Sequence, residues 1–233
     1  MQSSHEQTPE FNQYAPAYAK LLDDPLRNRF ARDPLHFHRR KWLLIQSLLQ
    51  RAGTTPQALR WLDVGCGQGE LLSLAGSAFA SAAGCDPSPG MLAPQAAFET
   101  RVQPSLTELP FATASVDFVT AVCVYHHVHG PARKLLTDEV RRVLAPRGLC
   151  CIIEHNPWNP VTQRIVHRCP VDVDAELLSA RQAKRILADS GLRPLTTSYF
   201  LYLPESLYQR LGRVETLLAK APIGGQYAVL ARA

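Results

Sequence analysis

The stretch Trp61-Leu62-Asp63-Val64-Gly65-Cys66-Gly67-Gln68-Gly69-Glu70 decides the fold of this chain. It begins as a buried parallel strand, and the glycines that follow, spaced two apart, predict a turn where bare backbone lies against a ligand. Dinucleotide folds instead use G-x-G-x-x-G to seat a pyrophosphate. Asp63 and Glu70 flank the turn and would repel a pyrophosphate, so they favour a ligand with cationic groups and no phosphate.

Asp86 provides the second feature of this ligand site. It ends the next short apolar stretch, 82–85, after the glycine turn. A carboxylate about 20 residues beyond such a turn can accept hydrogen bonds from both hydroxyls of a ribose. The predicted ligand therefore combines a nucleoside with a cationic group, a description that fits a sulfonium amino acid.

These motifs, with those that follow them, resemble the class I S-adenosylmethionine-dependent methyltransferases. Ser105 departs from the pattern, because many members of the family carry Asp there. The segments that carry the resemblance beyond the glycine turn and Asp86 are 87–92, the start of a helix; 105–111, the adenine-side turn; 115–122, the strand beside the cofactor; and 139–148, the helix and turn before the next strand. Three further stretches, 154–162, 169–172 and 222–227, are similar to a bacterial small-molecule subgroup of the methyltransferase-11 type.

The resemblance implies an α/β fold with a Rossmann-like, doubly wound, seven-stranded sheet and an N-terminal helical cap. It also implies S-adenosyl-L-methionine as the cofactor. The residues expected to bind the cofactor are Asp63, Gly65, Cys66, Gly67, Gly69, Asp86, Pro87, Met91, Ser105, Leu106, Val122, Cys123, Tyr14 and Lys41. For Tyr14 and Tyr18 core packing is an equal alternative, and for Arg40 and Lys41 an exposed position on a helix is the commoner case.

The periodicity of apolar residues predicts the elements. Helices are predicted over 11–22, with an aromatic stripe, over 35–52, with Leu43, Leu44, Leu48 and Leu49 on its apolar face, from the capping box at 179–182 to Gly191, and over 204–220. Strands are predicted near 59–64, 81–85, 98–103, 116–123, 149–154, 196–203 and 226–233, the last two antiparallel. The prolines of 156–173 predict a long ordered loop over the active site.

Two strand ends are unusually polar, and ligands bind at such ends in open parallel sheets. Val124-Tyr125-His126-His127-Val128-His129 follows the fourth strand, and Glu154-His155-Asn156-Pro157-Trp158 follows the fifth. Methyl transfer is an in-line displacement, so the protein must align the acceptor, exclude water and accept a proton. Histidine titrates near neutrality, and we predict that His127 or His126 is the base, with a slight preference for His127.

Glu154 and His155 are expected to shape that pocket or orient the base. For any one of these histidines, a role as a capping, hydrogen-bonded or cofactor-packing residue is commoner than a role as a base. A metal site is not predicted, because adjacent histidines in a loop lack the i, i+4 spacing of helical zinc motifs.

Composition limits the possible architectures and partners. The chain has 233 residues, 46% of them hydrophobic, enough for one sizeable core. We expect a helical cap over the active site at 1–56 and a methyltransferase core at 57–233, with a substrate-covering loop at about 156–176. A net charge of +5 without long runs of like charge favours an anionic small-molecule acceptor and argues against nucleic acid.

The same sequence predicts a cytoplasmic protein, monomeric or homodimeric, that does not bind membranes. The cysteines form no Cys-x-x-Cys pair, which indicates buried free thiols in a reducing compartment. No stretch approaches the ~18 apolar residues of a membrane span, and the polar segment 1–10 lacks the pattern of a leader.

The predicted activity is transfer of a methyl group to a small molecule, most simply to oxygen or nitrogen. Three alternatives compete with it. An RNA methyltransferase that acts on base amines would usually carry an Asp/Asn-Pro-Pro-aromatic motif where this chain has Tyr125-His126-His127. A nicotinamide oxidoreductase is opposed by the glycine spacing, and a regulatory subunit that binds the cofactor without turnover would leave the polar strand ends without a role.

Overall fold

The computed structural model describes residues 10–92 and 98–233. Within them the chain forms one sheet of seven strands, in the order β3-β2-β1-β4-β5-β7-β6. The strands are β1 Arg60–Val64, β2 Ser81–Asp86, β3 Glu99–Val102, β4 Val116–Val122, β5 Leu144–His155, β6 Arg193–Phe200 and β7 Gln226–Arg232. The first five are parallel, and β7 is antiparallel to both β5 and β6. The predicted doubly wound sheet is therefore confirmed.

Helices cover both faces of the sheet. The α-helices of the described residues are α1 Tyr18–Leu21, α2 Pro25–Phe30, α3 His36–Arg51, α4 Glu70–Ala75, α5 Ala132–Val143, α6 Pro160–Arg168, α7 Ala180–Asp189 and α8 Glu205–Leu218. The predicted capping box opens α7, because the Ser179 hydroxyl accepts from the Gln182 amide and the Gln182 side chain accepts from the Ser179 amide. The helices predicted over 35–52 and 204–220 are also confirmed.

The core consists of two apolar layers, one on each face of the sheet. On one face α5 packs against β5 and α7 against β6 and β7, with Leu136 and Leu187 among the fully buried side chains. On the other face α3 and α4 pack against β1, with Leu49 and Leu72 buried. Each such side chain contributes roughly 1.5–3 kcal/mol by leaving water. These layers hold the carboxyl ends of β1, β2, β4 and β5 at one edge, where a cleft opens.

The N-terminal segment differs from the prediction. Instead of one helix over 11–22, the chain forms two short 3-10 turns, Glu10–Gln13 and Ala15–Ala17, and then α1. Pro16 explains the interruption, since proline lacks an amide hydrogen and clashes with the preceding turn of a helix. The unpredicted α2 has clear signals in retrospect: Asp24 accepts from the amides of Leu26 and Arg27 at 2.7 and 3.1 Å, and proline stands at the first helical position.

The loop predicted over 156–173 is also wrong in part, because it contains α6. Asn159 caps this helix by accepting from the Thr162 amide at 2.9 Å, and Pro160 occupies the first helical position, where proline is favoured. The helix start expected at 87–92 forms a turn, and the residues that would continue it, 93–97, lie outside the described residues.

On α3 the predicted apolar face is shifted. Leu43 is 49% exposed, while Ile45, Leu48 and Leu49 are buried. Arg40 and Lys41, for which exposure was the commoner expectation, are buried too. Arg40 forms an ion pair with Glu215 of α8 and lies over the ring of Tyr208, whereas Lys41 faces the cleft. Tertiary contacts across the sheet edge turn these two basic side chains inward.

Candidate active site

The cleft at the carboxyl edge of the sheet has a volume of about 940 Å³. Its two ends differ in chemistry. The glycine half is lined by Asp63, Gly65, Cys66, Gly67, Glu70, Asp86, Pro87, Met91 and Leu106. The histidine half is lined by Arg27, His38, Lys41, His126, His127, His155 and Asp172. Val122 and Cys123, at the end of β4, also line the cleft.

The glycine turn is held against the end of β2. The amides of Gly65 and Cys66 donate to the carbonyl of Cys85 at 2.8 and 3.0 Å. Gly65 has a φ of +67°, and a Cβ built on it would lie 2.5 Å from a methyl carbon of Val124, so a side chain there would clash as well as strain the backbone. The turn therefore presents bare backbone to the cleft, as the spacing predicts.

Asp86 is fixed at the edge of this turn. One carboxylate oxygen accepts from the Gly67 amide at 3.1 Å and the other from the Ser88 amide at 2.9 Å. Burial raises the pKa of Asp86 despite these two bonds. Each oxygen retains a further lone pair, so the side chain can accept two more hydrogen bonds from a ligand in the cleft.

Asp63 lies at the end of β1 beneath the same turn. The hydroxyl of Thr120 donates to its carboxylate at 2.5 Å, and the Trp61 indole in turn donates to that hydroxyl at 2.7 Å. Burial raises the pKa of Asp63 to about 7, which the Thr120 bond only partly offsets. A cationic ligand group beside Asp63 would favour the ionised form. Together, the carboxyl groups of Asp63, Glu70 and Asp86 make the glycine half of the cleft acidic.

In the histidine half, Glu154 organises the turn after β4. One of its oxygens accepts from the amides of Val124 and Tyr125 at 2.9 and 2.7 Å, and the other is 2.6 Å from Nδ1 of His126. The Nε2 atoms of His126 and His127 both face one oxygen of Asp172, at 3.5 and 3.4 Å. Two strand ends and the 3-10 turn Pro170–Asp172 thus meet at one cluster.

Burial and charge act in opposite directions on this cluster. Burial lowers the pKa of His126, but the carboxylates of Glu154 and Asp172 outweigh it and raise that pKa to about 10. Burial lowers the pKa of His127, against the weaker pull of Asp172. Burial would raise the pKa of Asp172, but the neighbouring histidines hold it well below its usual range. The two histidines are therefore not equivalent in basicity.

Cys123 lies between the two halves. Its Sγ is 4.0 Å from Nζ of Lys41 and 3.4 Å from Nε2 of Gln226. Burial raises the pKa of this thiol, but Lys41 and His155 outweigh the burial and lower it to about 7. Among the described residues, Lys41 has no carboxylate within ion-pair distance, so its charge is available to a ligand.

Basic groups with no acidic partner continue along the histidine half. Arg27 donates to the carbonyl of Leu22 at 3.1 Å and lies 4.8 Å over the ring of Phe37, and no ion pair joins it to the acids of the described chain. Burial lowers the pKa of His38 to about 3, so this histidine is neutral. Arg27 and Lys41 therefore bring positive charge to this part of the cleft; Lys20 and Arg168 also line the cleft, and Arg168 pairs with Asp24.

Most of the predicted site residues meet in the cleft, and four do not line it. Gly69 has a φ of +77° and caps α4 just beyond the turn, and Ser105 lines a separate shallow pocket, where its hydroxyl lies beside Thr107. Tyr14 packs edge-on against Phe11, and Tyr18 lines the cleft in its place. Glu154 is fully buried behind His126, so it reaches the cleft only through that ring.

Sequence reasoning missed Arg27, His38 and Asp172. Asp172 lies in the stretch 169–172, whose resemblance to the bacterial subgroup was the only signal for it. Arg27 follows the Asp24-Pro25 helix start, which was visible in the sequence but gave no reason to place that helix at the cleft. Along the described parts of the chain, every helix is too short or too polar to cross a membrane.

Comparison with known proteins agrees with this geometry. A family model described as a methyltransferase domain matches residues 62–152. An uncharacterized methyltransferase from Mycolicibacterium vanbaalenii is 36% identical over 111 residues, which cover 46% of this chain and 42% of that protein. The match therefore spans less than half the length of that relative.

Solved structures share the fold at low sequence identity. A SAM-dependent methyltransferase from Archaeoglobus fulgidus has a TM-score of 0.62 and 18% identity, covering 86% of this chain and 100% of that chain. A SAM-dependent methyltransferase from Thermotoga maritima, described as a possible histamine N-methyltransferase, has a TM-score of 0.68 and 16% identity, covering 95% and 97%. These likenesses confirm the predicted class I methyltransferase fold.

Proposed function

We propose that this chain is a class I S-adenosylmethionine-dependent methyltransferase that binds S-adenosylmethionine in the glycine half of the cleft and methylates a small anionic acceptor in the histidine half. The observation that carries the proposal is the pairing of the bare glycine turn with Asp86, whose carboxylate is already fixed by the Gly67 and Ser88 amides. A carboxylate held in this way is preorganised to accept both ribose hydroxyls.

The charges of the glycine half support a sulfonium cofactor. Asp63 and Glu70 lie where the amino-acid end of the cofactor would extend from the ribose, and both attract its ammonium and sulfonium groups. Lys41, buried beside Cys123, is placed to bind the carboxylate of that amino acid. Leu106 and Met91 offer apolar contacts to the adenine ring.

The histidine half supports a small acceptor with a negative charge. Arg27 enters the cleft without a carboxylate partner among the described residues, and its guanidinium can bind a carboxylate or phosphate through two parallel hydrogen bonds. The wall formed by Val161, Ile165 and Val171 is apolar, which suits the uncharged part of such a molecule. An acceptor bound by Arg27 would place its reactive atom toward Cys123 and the histidines.

Catalysis then consists of alignment, exclusion of water and removal of one proton. The methyl carbon is already activated by the sulfonium, so aligning the acceptor in line with the carbon–sulfur bond supplies most of the effect. We assign the proton-removing role to the cluster of His126, His127 and Asp172 rather than to one histidine, because both Nε2 atoms face the same oxygen of Asp172. His155, whose ring centre lies 5.3 Å from that of His126, completes the wall.

The experiment that tests the proposal measures binding first and turnover second. Calorimetry should give micromolar affinity for S-adenosylmethionine and for S-adenosylhomocysteine, and tighter binding of NAD would reject the assignment. A metabolite extract incubated with the protein and the labelled cofactor should then yield a labelled small anion by mass spectrometry. Binding without transfer to any extract fraction would favour the regulatory-subunit alternative.

We further propose that the N-terminal segment and the segment around α6 close over the bound molecules. Asn12 accepts from the Gly90 amide at 2.8 Å, Phe11 packs edge-on against His127 at 4.8 Å, and α6 lines the opposite wall. Closure of such segments excludes water from the reaction. Hydrogen exchange in 11–22 and 156–173 should slow when S-adenosylhomocysteine and the acceptor bind together, and unchanged exchange in both segments would reject the lid. The free thiols of all six cysteines support the reducing, cytoplasmic setting expected from the sequence.

A further inference from the structure

The cluster of His126, His127 and Asp172 contains two kinds of contact. Nδ1 of His126 lies 2.6 Å from Glu154, a full hydrogen bond. The Nε2 atoms of His126 and His127 lie 3.5 and 3.4 Å from one oxygen of Asp172, and all three atoms are within 4.8 Å of one another. Normal N–H···O bonds span about 2.7–3.2 Å, so these two contacts are longer than normal hydrogen bonds.

The longer separations match the ligands of a single ion. Two atoms that each lie about 2.1 Å from a metal, at a tetrahedral angle, are about 3.4 Å apart. We propose that His126, His127 and Asp172 bind one divalent transition-metal ion of the zinc class at the histidine end of the cleft. Asp172 supplies the third ligand that adjacent histidines lack, and it comes from a segment far away in the sequence, so the sequence reasoning against a metal did not consider it.

Glu154 prepares His126 for this role. By accepting a hydrogen bond from Nδ1, it keeps a hydrogen on that atom, so the proton that a metal ion displaces comes from Nε2 and leaves a lone pair directed at the cluster. Glu154 is itself fixed by the Val124 and Tyr125 amides, and it is fully buried. A carboxylate behind a ligating imidazole is the usual outer partner of a metal-bound histidine. Glu154 is thus a positioning residue for the ion.

Three protein ligands leave one position of a tetrahedral ion open to the cleft, the arrangement of catalytic rather than structural zinc. The role of the ion in methyl transfer rests on the proposed function. With the ion bound, the lone pairs of His126, His127 and Asp172 are engaged, so the ion takes over the role that the proposed function gives to the cluster: an acceptor hydroxyl bound at the open position would lose its proton to solvent water more readily, because the ion stabilises the alkoxide. The oxygen lone pair then forms the bond to the methyl carbon while the carbon–sulfur bond breaks and its electron pair goes to sulfur. The acceptor class is therefore a hydroxyl compound with an anionic group.

The test begins with protein stripped by a chelator and desalted, then titrated with Zn²⁺ by calorimetry. One ion should bind per chain with micromolar or tighter affinity, and Asp172→Ala and His127→Ala should each weaken binding at least tenfold. His129→Ala and Asp174→Ala are the matched controls, since both residues are exposed and adjacent in sequence to the proposed ligands; their affinity should equal that of the unmodified chain. Absence of saturable binding, or an affinity in Asp172→Ala and His127→Ala equal to that of the unmodified chain, would overturn the site.

Glu154→Gln gives a sharper test of the geometry. The amide oxygen can keep the bonds from the backbone of 124 and 125, but its NH₂ faces Nδ1 and forces His126 into the other tautomer, with a hydrogen on Nε2. Zn²⁺ affinity should fall about 10–100-fold while the fold is retained. Retained affinity in this variant would contradict the assigned role of Glu154.

A spectrum of the Co²⁺-loaded unmodified protein keeps the proposal testable if any variant fails to fold. Tetrahedral Co²⁺ with nitrogen and oxygen ligands should absorb in the visible region without a strong thiolate charge-transfer band. Such a band would place the ion on a cysteine such as Cys123 or Cys169 and overturn the site. Binding of S-adenosylhomocysteine, measured on the same samples, separates the outcomes: its loss would reject the cofactor assignment, whereas a failure of metal binding alone would reject only the ion.

Discussion

The glycine half and the histidine half of the cleft differ both in charge and in how the chain builds them. Asp63 and Asp86, two carboxylates of the glycine half, lie on the neighbouring strands β1 and β2, and the third, Glu70, begins helix α4 between them. The basic and histidine side chains of the other half come from α2, α3, the ends of β4 and β5, and the turn after α6. The glycine half therefore depends mainly on local backbone geometry, whereas the histidine half depends on how elements distant in sequence pack together.

The largest effect is expected on stability, when a substitution removes the tertiary ion pair behind the histidine half. Glu215 of α8 pairs with Arg40 of α3 and accepts from the amides of Tyr202 and Leu203 at 2.9 and 2.8 Å. Glu215→Ala leaves Arg40 buried without a partner, which should lower the free energy of unfolding by about 3–5 kcal/mol in urea denaturation. The exposed pair of Glu99 and Arg101 is the control, and Glu99→Ala should cost at most about 1 kcal/mol. Equal effects in the two variants would contradict the comparison.

The second prediction is that substitutions in the two halves affect different ligands, the cofactor in the glycine half and the acceptor in the histidine half. Asp86→Ala removes two charge-assisted hydrogen bonds to the ribose and should weaken binding of S-adenosylhomocysteine by about 1–3 kcal/mol, measured by calorimetry. Arg27→Met, in the other half, should leave that affinity unchanged and raise the KM of the acceptor. If Arg27→Met weakened the cofactor as much as Asp86→Ala, the two halves would not be independent sites.

The third prediction concerns pH. Burial raises the pKa of Asp63 to about 7, so roughly a tenth of this group is ionised at pH 6 and roughly nine tenths at pH 8. If the ionised form binds the cofactor ammonium, affinity should rise about tenfold over that interval in the unmodified protein and stay flat in Asp63→Asn. A pH-independent affinity in the unmodified protein would remove Asp63 from the cofactor site.

The same group sets the direction of a stability effect. The folded-state pKa of Asp63 lies above the value of about 3.9 in an unfolded chain, so the folded protein holds a proton that the unfolded chain has lost. Its contribution to stability is therefore present at low pH and is lost as pH rises through about 7. Thermal melts without ligand should show this loss, and bound cofactor should offset it.

The smallest effect is expected for the reactivity of Cys123, which lies between the two halves. Lys41 and His155 lower the pKa of the Cys123 thiol to about 7, whereas the pKa values of the other five cysteines are raised by burial. Alkylation by iodoacetamide should therefore begin at Cys123, with a midpoint near pH 7, and Lys41→Met should move that midpoint up by about one unit. S-adenosylhomocysteine should protect the thiol. Labelling that starts at Cys169 would contradict this placement of Lys41.

The fold was predictable because its signals are local and repeated. Alternating apolar strands and helical patterns identify a parallel sheet whatever the details of packing, and each of the seven strands overlaps its predicted range, although β5 begins at Leu144 instead of 149 and β6 spans Arg193–Phe200 instead of 196–203. The prolines caused the errors. Pro16 interrupts a helix that the aromatic stripe predicted, while Pro160, taken as a loop signal, begins one. Proline has opposite effects at the first position and in the interior of a helix.

By itself the sequence determined the glycine turn, Asp63 and Asp86, because a strand followed by closely spaced glycines can adopt few conformations and the next strand must lie beside it. Only the tertiary structure brought Asp172 to His126 and His127, buried Lys41 and turned Arg27 into the cleft. It also placed Glu154 behind His126 and out of the cleft. These positions depend on how α2, α3 and the segment around α6 pack on the sheet edge, and such long-range contacts have no spacing that a single sequence can display.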